Sequence, residues 1–276
     1  MQEATIQIHP LSKFLRTERI PHIWCYGCGL GSITNSLCRS LTRVDANLDE
    51  YVITGGIGCT GRATGYLNMD GFHTTHGRAI AVATGIKVAN PKLHVIVFSG
   101  DGDLFAIGGN HFFHAARRNV EMLVICANNF TYGLTGGQLA PSTPLGAWTQ
   151  TSAQGNYEPP VNMCGFAAAS GATYVARSTV AHIEMLEDQI TTALRKKGFS
   201  FIEVVSNCHE EFGRFNDFED PMGMVRFYTE HARVREGMGP QEAGPASGDE
   251  DGYFNIGTFL NIERPSYTDH VRVVRA

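Results

Sequence analysis

Residues 93–99 read Leu-His-Val-Ile-Val-Phe-Ser and run directly into Gly100-Asp101-Gly102-Asp103; Asn128-Asn129 begins 25 positions after Asp103. The apolar run is that of a strand buried on both faces, as parallel sheets require. A helical stretch from about Leu104 to Arg118 and a second apolar run, Val120 to Cys126, lead to the two asparagines. An acid and an amide therefore stand at the same end of two parallel strands joined by one helix, the end where open α/β sheets bind ligands. Glycines let backbone N–H groups approach a phosphate, and the helix behind them turns its positive end toward the anion. Asp101, Asn129 and a nearby carbonyl are hard oxygen donors, the kind Mg²⁺ takes when it bridges a diphosphate. An aspartate that only capped a helix would explain the first motif and not the second.

The surrounding pattern extends this unit. Leu30–Leu41, Gly77–Ala89 and Val180–Lys197 have helical spacing, while Tyr51–Thr54, Ala172–Ala176 and Phe199–Val205 read as strands. Alternation of the two over residues 51–206 predicts an α/β, doubly wound, mostly parallel sheet. With 276 residues, 43% of them hydrophobic, the chain can build one substantial core. The division expected is a leader over 1–23, a main domain over 24–215, and a partner- or surface-packed extension over 216–276. Within the extension, residues 235–252 are rich in Gly, Pro and acids and read as a flexible or partner-dependent excursion. The loop over 128–160 is long enough to expect function from it. No apolar run approaches the roughly 20 residues of a membrane helix, and the polar start lacks a signal-peptide core, so a cytoplasmic protein is expected. The net charge of −5 argues against non-specific nucleic-acid binding.

Seven cysteines without a secretion signal do not suggest a disulfide framework. Cys38, Cys126 and Cys164 fall in helical or strand patterns and read as buried small hydrophobes. Cys25 and Cys28 form a Cys-x-x-Cys pair beside glycines, and Cys59 and Cys208 lie in turns. Four such thiolates suit a 4Fe–4S cluster or a structural zinc. One knuckle in place of zinc's usual two tilts the choice toward iron–sulfur and leaves it open. A thioredoxin-like pair would need a βαβ setting that the polar leader does not give. Gly56-Ile57-Gly58-Cys59-Thr60-Gly61 also matches a dinucleotide fingerprint after a strand. That site wants an acid about 20 residues on; the region holds His73 and His76, and Asp70 comes too early.

The Gly-Asp-Gly and Asn-Asn spacing resembles the thiamine diphosphate motif, which implies that Asp101 and Asn129 hold Mg²⁺ through their side chains and Thr131 through its main-chain oxygen. Over about residues 20–215 the chain resembles the β subunit of 2-oxoacid:ferredoxin oxidoreductases. Trp24-Cys25-x-x-Cys28-Gly29, Gly56-Ile57-Gly58-Cys59, Thr75-His76-Gly77-Arg78, Gly100-Asp101-Gly102-Asp103, Asn128-Asn129-x-x-Tyr132-Gly133-x-Thr135-Gly136-Gly137-Gln138 and the late Cys208 carry the likeness.

The resemblance implies one 4Fe–4S cluster on Cys25, Cys28, Cys59 and Cys208. It implies a thiamine diphosphate pocket bordered by Ile57, Gly58, His76, Gly100, Asp101 and Gly102, and by Asp103, Asn129, Tyr132, Leu134 and Thr135. The activity implied is coenzyme A-dependent oxidative decarboxylation of a 2-oxoacid, with electrons passed to ferredoxin. Arg62, three positions past the turn cysteine, would meet the distal carboxylate of 2-oxoglutarate, the first-choice substrate; the family often has Lys there. Pyruvate and branched 2-oxoacids remain alternatives, as does a non-redox thiamine decarboxylase with zinc. His76 would contact cofactor or substrate. The activating glutamate is implied to lie on an α subunit, giving a heterodimer or a dimer of heterodimers. The chain lacks the Cys-rich run of a two-cluster ferredoxin module, which implies that electrons leave from the single cluster.

Overall fold

The structure is a computed structural model that describes residues 9–275; residues 1–8 of the expected leader lie outside the described residues. In chain order the main elements are α1 (Leu30–Arg43), β1 (Tyr51–Gly55), β2 (Asp70–His73), α2 (Ala79–Ala89), β3 (His94–Gly100), α3 (Gly109–Arg117) and β4 (Met122–Asn128). A two-residue hairpin follows, β5 (Thr131–Tyr132) and β6 (Gln138–Leu139), then α4 (Met163–Ala169), β7 (Tyr174–Thr179), α5 (Ile183–Arg195) and β8 (Phe199–Val205). The chain closes with α6 (Pro221–His231), β9 (Ala232–Val234), β10 (Phe254–Asn261) and α7 (Tyr267–Arg275).

Eight strands form one sheet in the order β2-β1-β3-β4-β8-β7-β10-β9. Neighbouring strands are parallel except β7 and β10. Successive side chains of a strand point to opposite faces, and the buried residues separate accordingly. Ile96, Phe98, Leu123, Ile125, Ile202 and Val204 join the core under α1 and α5. Val95, Val97, Met122, Val124, Phe199 and Phe201 join the one under α2, α3 and α4. Each such side chain contributes roughly 1.5–3 kcal/mol by burial, so a one-residue slip would cost the central strands both cores. The register is thereby fixed, with Gly100 opposite Ala127 and Asn128 opposite Val205. The C-terminal ends of β1, β3, β4 and β8 consequently meet at one edge, which carries the Gly56 turn, Asp101, Asn129 and Cys208. Among the described residues no helix is long and apolar enough to cross a membrane.

The C-terminal residues join the same sheet. Residues 216–276 supply β9 and β10, and β10 pairs antiparallel with β7 inside the same sheet. The 235–252 excursion is packed, with Ala243 and Ala246 buried. Arg177, fully buried on β7, holds it: the guanidinium pairs with Glu203 at 2.8 Å and donates to the carbonyls of Ala243, Gly244 and Asn255. A buried charge needs partners on every side, and backbone oxygens of the excursion are among them. The helix expected from Leu104 starts instead with a π-helical turn, Asp103–Ile107, and becomes α-helical at Gly109. Such turns widen a helix and often sit at functional sites.

Candidate active site

Asp101 leaves the end of β3 with its side chain buried, where it accepts a short hydrogen bond from the Ser142 hydroxyl. Burial pushes its carboxyl up to about 7, with the Ser142 bond opposing. The Asn129 amide, at the end of β4, faces two oxygens: Asp101 Oδ1 at 3.2 Å and the Thr131 carbonyl at 2.7 Å. With its NH₂ turned inward the amide satisfies both acceptors. With its oxygen turned inward, three oxygens converge as a hard divalent cation requires. Phe130 takes φ 65°, a left-handed conformation unusual for a bulky residue, and thereby brings the Thr131 carbonyl back toward the Asn129 side chain. The donor chemistry fits Mg²⁺.

These residues border one cavity together with Ile57, Gly58, His76, Gly100, Gly102 and Asp103, and with Tyr132, Leu134 and Thr135 on the far wall. The structure thus brings together every residue expected at the cofactor. A Cβ on Gly102 would overlap the Tyr132 ring, whose hydroxyl donates to the Gly102 carbonyl at 3.3 Å. Without side chains at Gly100 and Gly102, a diphosphate can approach the backbone there.

Asp103 borders the cavity, yet its buried carboxylate is already engaged. One oxygen accepts from His76 Nδ1 and from the Gly77 N–H at 2.6 Å; the other accepts from Ser99 Oγ at 2.7 Å. Its direct partner is His76, not an anion. The carboxylate orients the ring through Nδ1, and Nε2 makes no hydrogen bond among the described residues. The ring is about one-third exposed and meets Tyr132 edge-on at 6.0 Å.

Cys25, Cys28, Cys59 and Cys208 line a second cavity, whereas Cys38, Cys126 and Cys164 are buried elsewhere. Burial raises the Cys28 thiol to about 11, and the neighbouring Cys59 and Cys25 add to it. Burial likewise lifts Cys208 to about 12, again with contributions from Cys28, Cys59 and Cys25. Four thiols that feel one another's charge need a cationic centre to be held as thiolates. Among the described residues no three His, Cys, Asp or Glu side chains close on one point as ligands of a single ion would. The four thiols line one cavity, and four soft donors of that kind suit an iron–sulfur cluster. Trp24 Nε1 fixes the Cys59 turn by donating to its carbonyl at 2.8 Å.

Cys59, Asn129, Gly133 and Leu134 border both cavities. Gly133 lies so near Cys208 that an added Cβ would stand 3.2 Å from its sulfur. Arg62 opens onto the cysteine cavity, its side chain exposed and without a hydrogen bond or ion pair among the described residues; His76 opens onto the other. The two expected substrate residues are thus placed on either side of the shared wall. Ser142 and Ser99 escape the sequence reading. Ser142 sits in the long loop, where the Pro-Ser-Thr-Pro run is the only local signal.

A sheet edge that presents a diphosphate cradle and an acid–amide cation site defines a thiamine diphosphate-binding enzyme domain. Residues 56–204 match the family described as thiamine pyrophosphate enzyme, C-terminal TPP binding domain. The chain belongs to the β subunits of 2-oxoacid:ferredoxin oxidoreductases, and so is an oxidoreductase subunit. It is 45% identical over 267 residues to the 2-oxoglutarate synthase subunit KorB of Methanocaldococcus jannaschii, covering 96% of each chain. The subunit of that name from Archaeoglobus fulgidus is 46% identical over 264 residues, covering 95% of this chain and 93% of the relative. Among solved structures, 2-oxoglutarate:ferredoxin oxidoreductase from Magnetococcus marinus, with 2-oxoglutarate, coenzyme A and succinyl-CoA bound, superposes with a TM-score of 0.85. That match has 29% identity and covers 99% of this chain and 91% of the other.

Proposed function

We propose that this chain, paired with an α subunit in the cytoplasm, catalyses the coenzyme A-dependent oxidative decarboxylation of 2-oxoglutarate to an acyl-CoA and CO₂. Electrons pass through one 4Fe–4S cluster to ferredoxin. The observation that carries the reading is the shared wall: Cys59, Asn129, Gly133 and Leu134 each face both the diphosphate cavity and the cysteine cavity. A decarboxylase with a remote structural metal has no use for that adjacency.

Asp101, Asn129 and the Thr131 carbonyl would hold Mg²⁺, and the Gly100–Gly102 backbone would cradle the diphosphate. Thiamine diphosphate supplies an electron sink for the pair released when carbon dioxide departs. His76, oriented by Asp103, offers Nε2 to hold a proton at the cofactor or substrate. Arg62, unpaired at the mouth of the cysteine cavity, suits a distal carboxylate. The activating glutamate would come from the α subunit, in a heterodimer or dimer of heterodimers. The identities to 2-oxoglutarate synthase subunits favour 2-oxoglutarate over pyruvate or branched 2-oxoacids.

The test is anaerobic co-purification with the α subunit, then a panel of 2-oxoacids with coenzyme A and viologen as acceptor. Fastest turnover is expected with 2-oxoglutarate. A colourless zinc protein, or decarboxylation without acceptor reduction, would overturn the reading.

A further inference from the structure

Between Cys25 and Cys28 stands Tyr26, with relative exposure of 100%; Ile23, just before, is 63% exposed. Of the two residues between them, Cys25 is exposed and Trp24 faces inward. Trp24 is buried, donates to the Cys59 carbonyl and meets Tyr66 edge-on at 5.1 Å. The segment is also pinned at its ends. Ile23 N–H donates to the Tyr66 hydroxyl at 3.0 Å, Cys28 N–H to the Cys25 carbonyl at 3.1 Å, and the Asn207 amide to the Gly27 carbonyl at 2.6 Å. A bare tyrosine held out by a fixed turn does nothing for the core. Amphipathic aromatics with little freedom to lose are the common anchors of protein interfaces.

The surroundings are cationic on an acidic protein. Residues 9–23 carry Lys13, Arg16 and Arg19 against Glu18, three positive charges less one, for a net of +2 on a chain of −5. This stretch lies against the turn that follows Cys59: Arg16 N–H donates to the Tyr66 carbonyl at 2.8 Å and Arg19 to the Gly65 carbonyl at 3.2 Å. Of the carboxylates at the cavity mouth, Glu210 is paired with Arg214 at 3.5 Å, leaving Glu211.

We propose that Ile23 and Tyr26, flanked by Arg16 and Arg19, form the docking surface for a small acidic electron-carrier protein. The inference rests on the redox reading of the preceding section and names the place where that partner binds. An acidic carrier is favoured because the basic rim would steer it and the aromatic would hold it.

The experiment uses the assembled αβ enzyme and an oxidised ferredoxin of acidic pI, with affinity measured by calorimetry at two salt concentrations. Tyr26→Ala should raise Kd about 10–30-fold, and Arg19→Glu should weaken binding mainly at low salt. Cluster EPR and viologen reduction with 2-oxoglutarate should stay at wild-type level in both. Unchanged Kd in Tyr26→Ala overturns the proposal. So does equal loss of viologen reduction, which would make Tyr26 a support of the cysteine cavity. Release of the α subunit on gel filtration would assign the face to the subunit interface and overturn it too. A wild-type enzyme that binds ferredoxin through Tyr26 yet reduces no viologen would defeat the functional reading and leave the surface standing.

Discussion

The His76 imidazole is hydrogen-bonded through Nδ1 to the buried Asp103 carboxylate, which two further donors, Gly77 N–H and Ser99 Oγ, hold in place. The two residues are 27 positions apart and meet because β2, whose end leads to the His76 turn, lies beside β1, which in turn lies beside β3. Asp103→Asn keeps the shape and removes the charge that orients the ring. Turnover with 2-oxoglutarate and viologen should fall roughly 10–100-fold, the usual cost of losing such an orienting partner. Cofactor affinity and cluster EPR should hold. Unchanged turnover would remove His76 from the chemistry.

Gly56 faces the same carboxylate, and a Cβ there would overlap it. Gly56→Ala should cost about 1–3 kcal/mol of overpacking, lowering Tm by roughly 2–4 °C for each kcal/mol. Differential scanning calorimetry measures it, and turnover should fall with the displaced Asp103. A Tm at the wild-type value would show that the carboxylate moves freely.

Burial raises the Asp101 carboxyl from 3.8 to about 7. The folded state therefore holds a proton that the unfolded chain has released, and without a cation this group's contribution to stability declines as pH rises from about 4 through 7. Asp101→Asn should make the cofactor-free protein more stable than wild type at pH 8 and no more stable at pH 4. The thermal stabilisation given by Mg²⁺ with thiamine diphosphate should vanish in the variant. A retained shift on adding both ligands would contradict the metal assignment.

Cys208→Ser should lose most of the iron, whereas Cys38→Ser, on the buried face of α1, should keep it. Iron and sulfide analysis of anaerobically purified protein separates the two. Equal iron in both variants would undo the division of the cysteines.

The diphosphate half of the site is legible in the sequence because its ligands end long apolar runs. Continuous burial of β3 and β4 leaves one position for each turn, so the spacing of Asp101 and Asn129 translates directly into geometry. The role of Asp103 is not legible, since it depends on a meeting of distant segments. Ser142 is hidden for the same reason in a loop without periodicity. The second half of β7 and all of β10 are missed for two local causes. Arg177 interrupts the apolar pattern of β7, which runs Tyr174–Thr179 where Ala172–Ala176 is expected. In β10 the glycine at 257 has φ 140° and the register shifts between Thr258 and Leu260, so the alternation that marks a strand is broken.

Adjacency of the two cavities across Cys59 and Asn129 is the claim on which the function turns. Its most direct test is EPR of the anaerobically purified αβ enzyme, loaded with Mg²⁺ and thiamine diphosphate and frozen after addition of 2-oxoglutarate. A substrate-dependent signal from one reduced four-iron cluster per β chain is expected. A cluster that dithionite reduces but 2-oxoglutarate leaves oxidised would contradict the account.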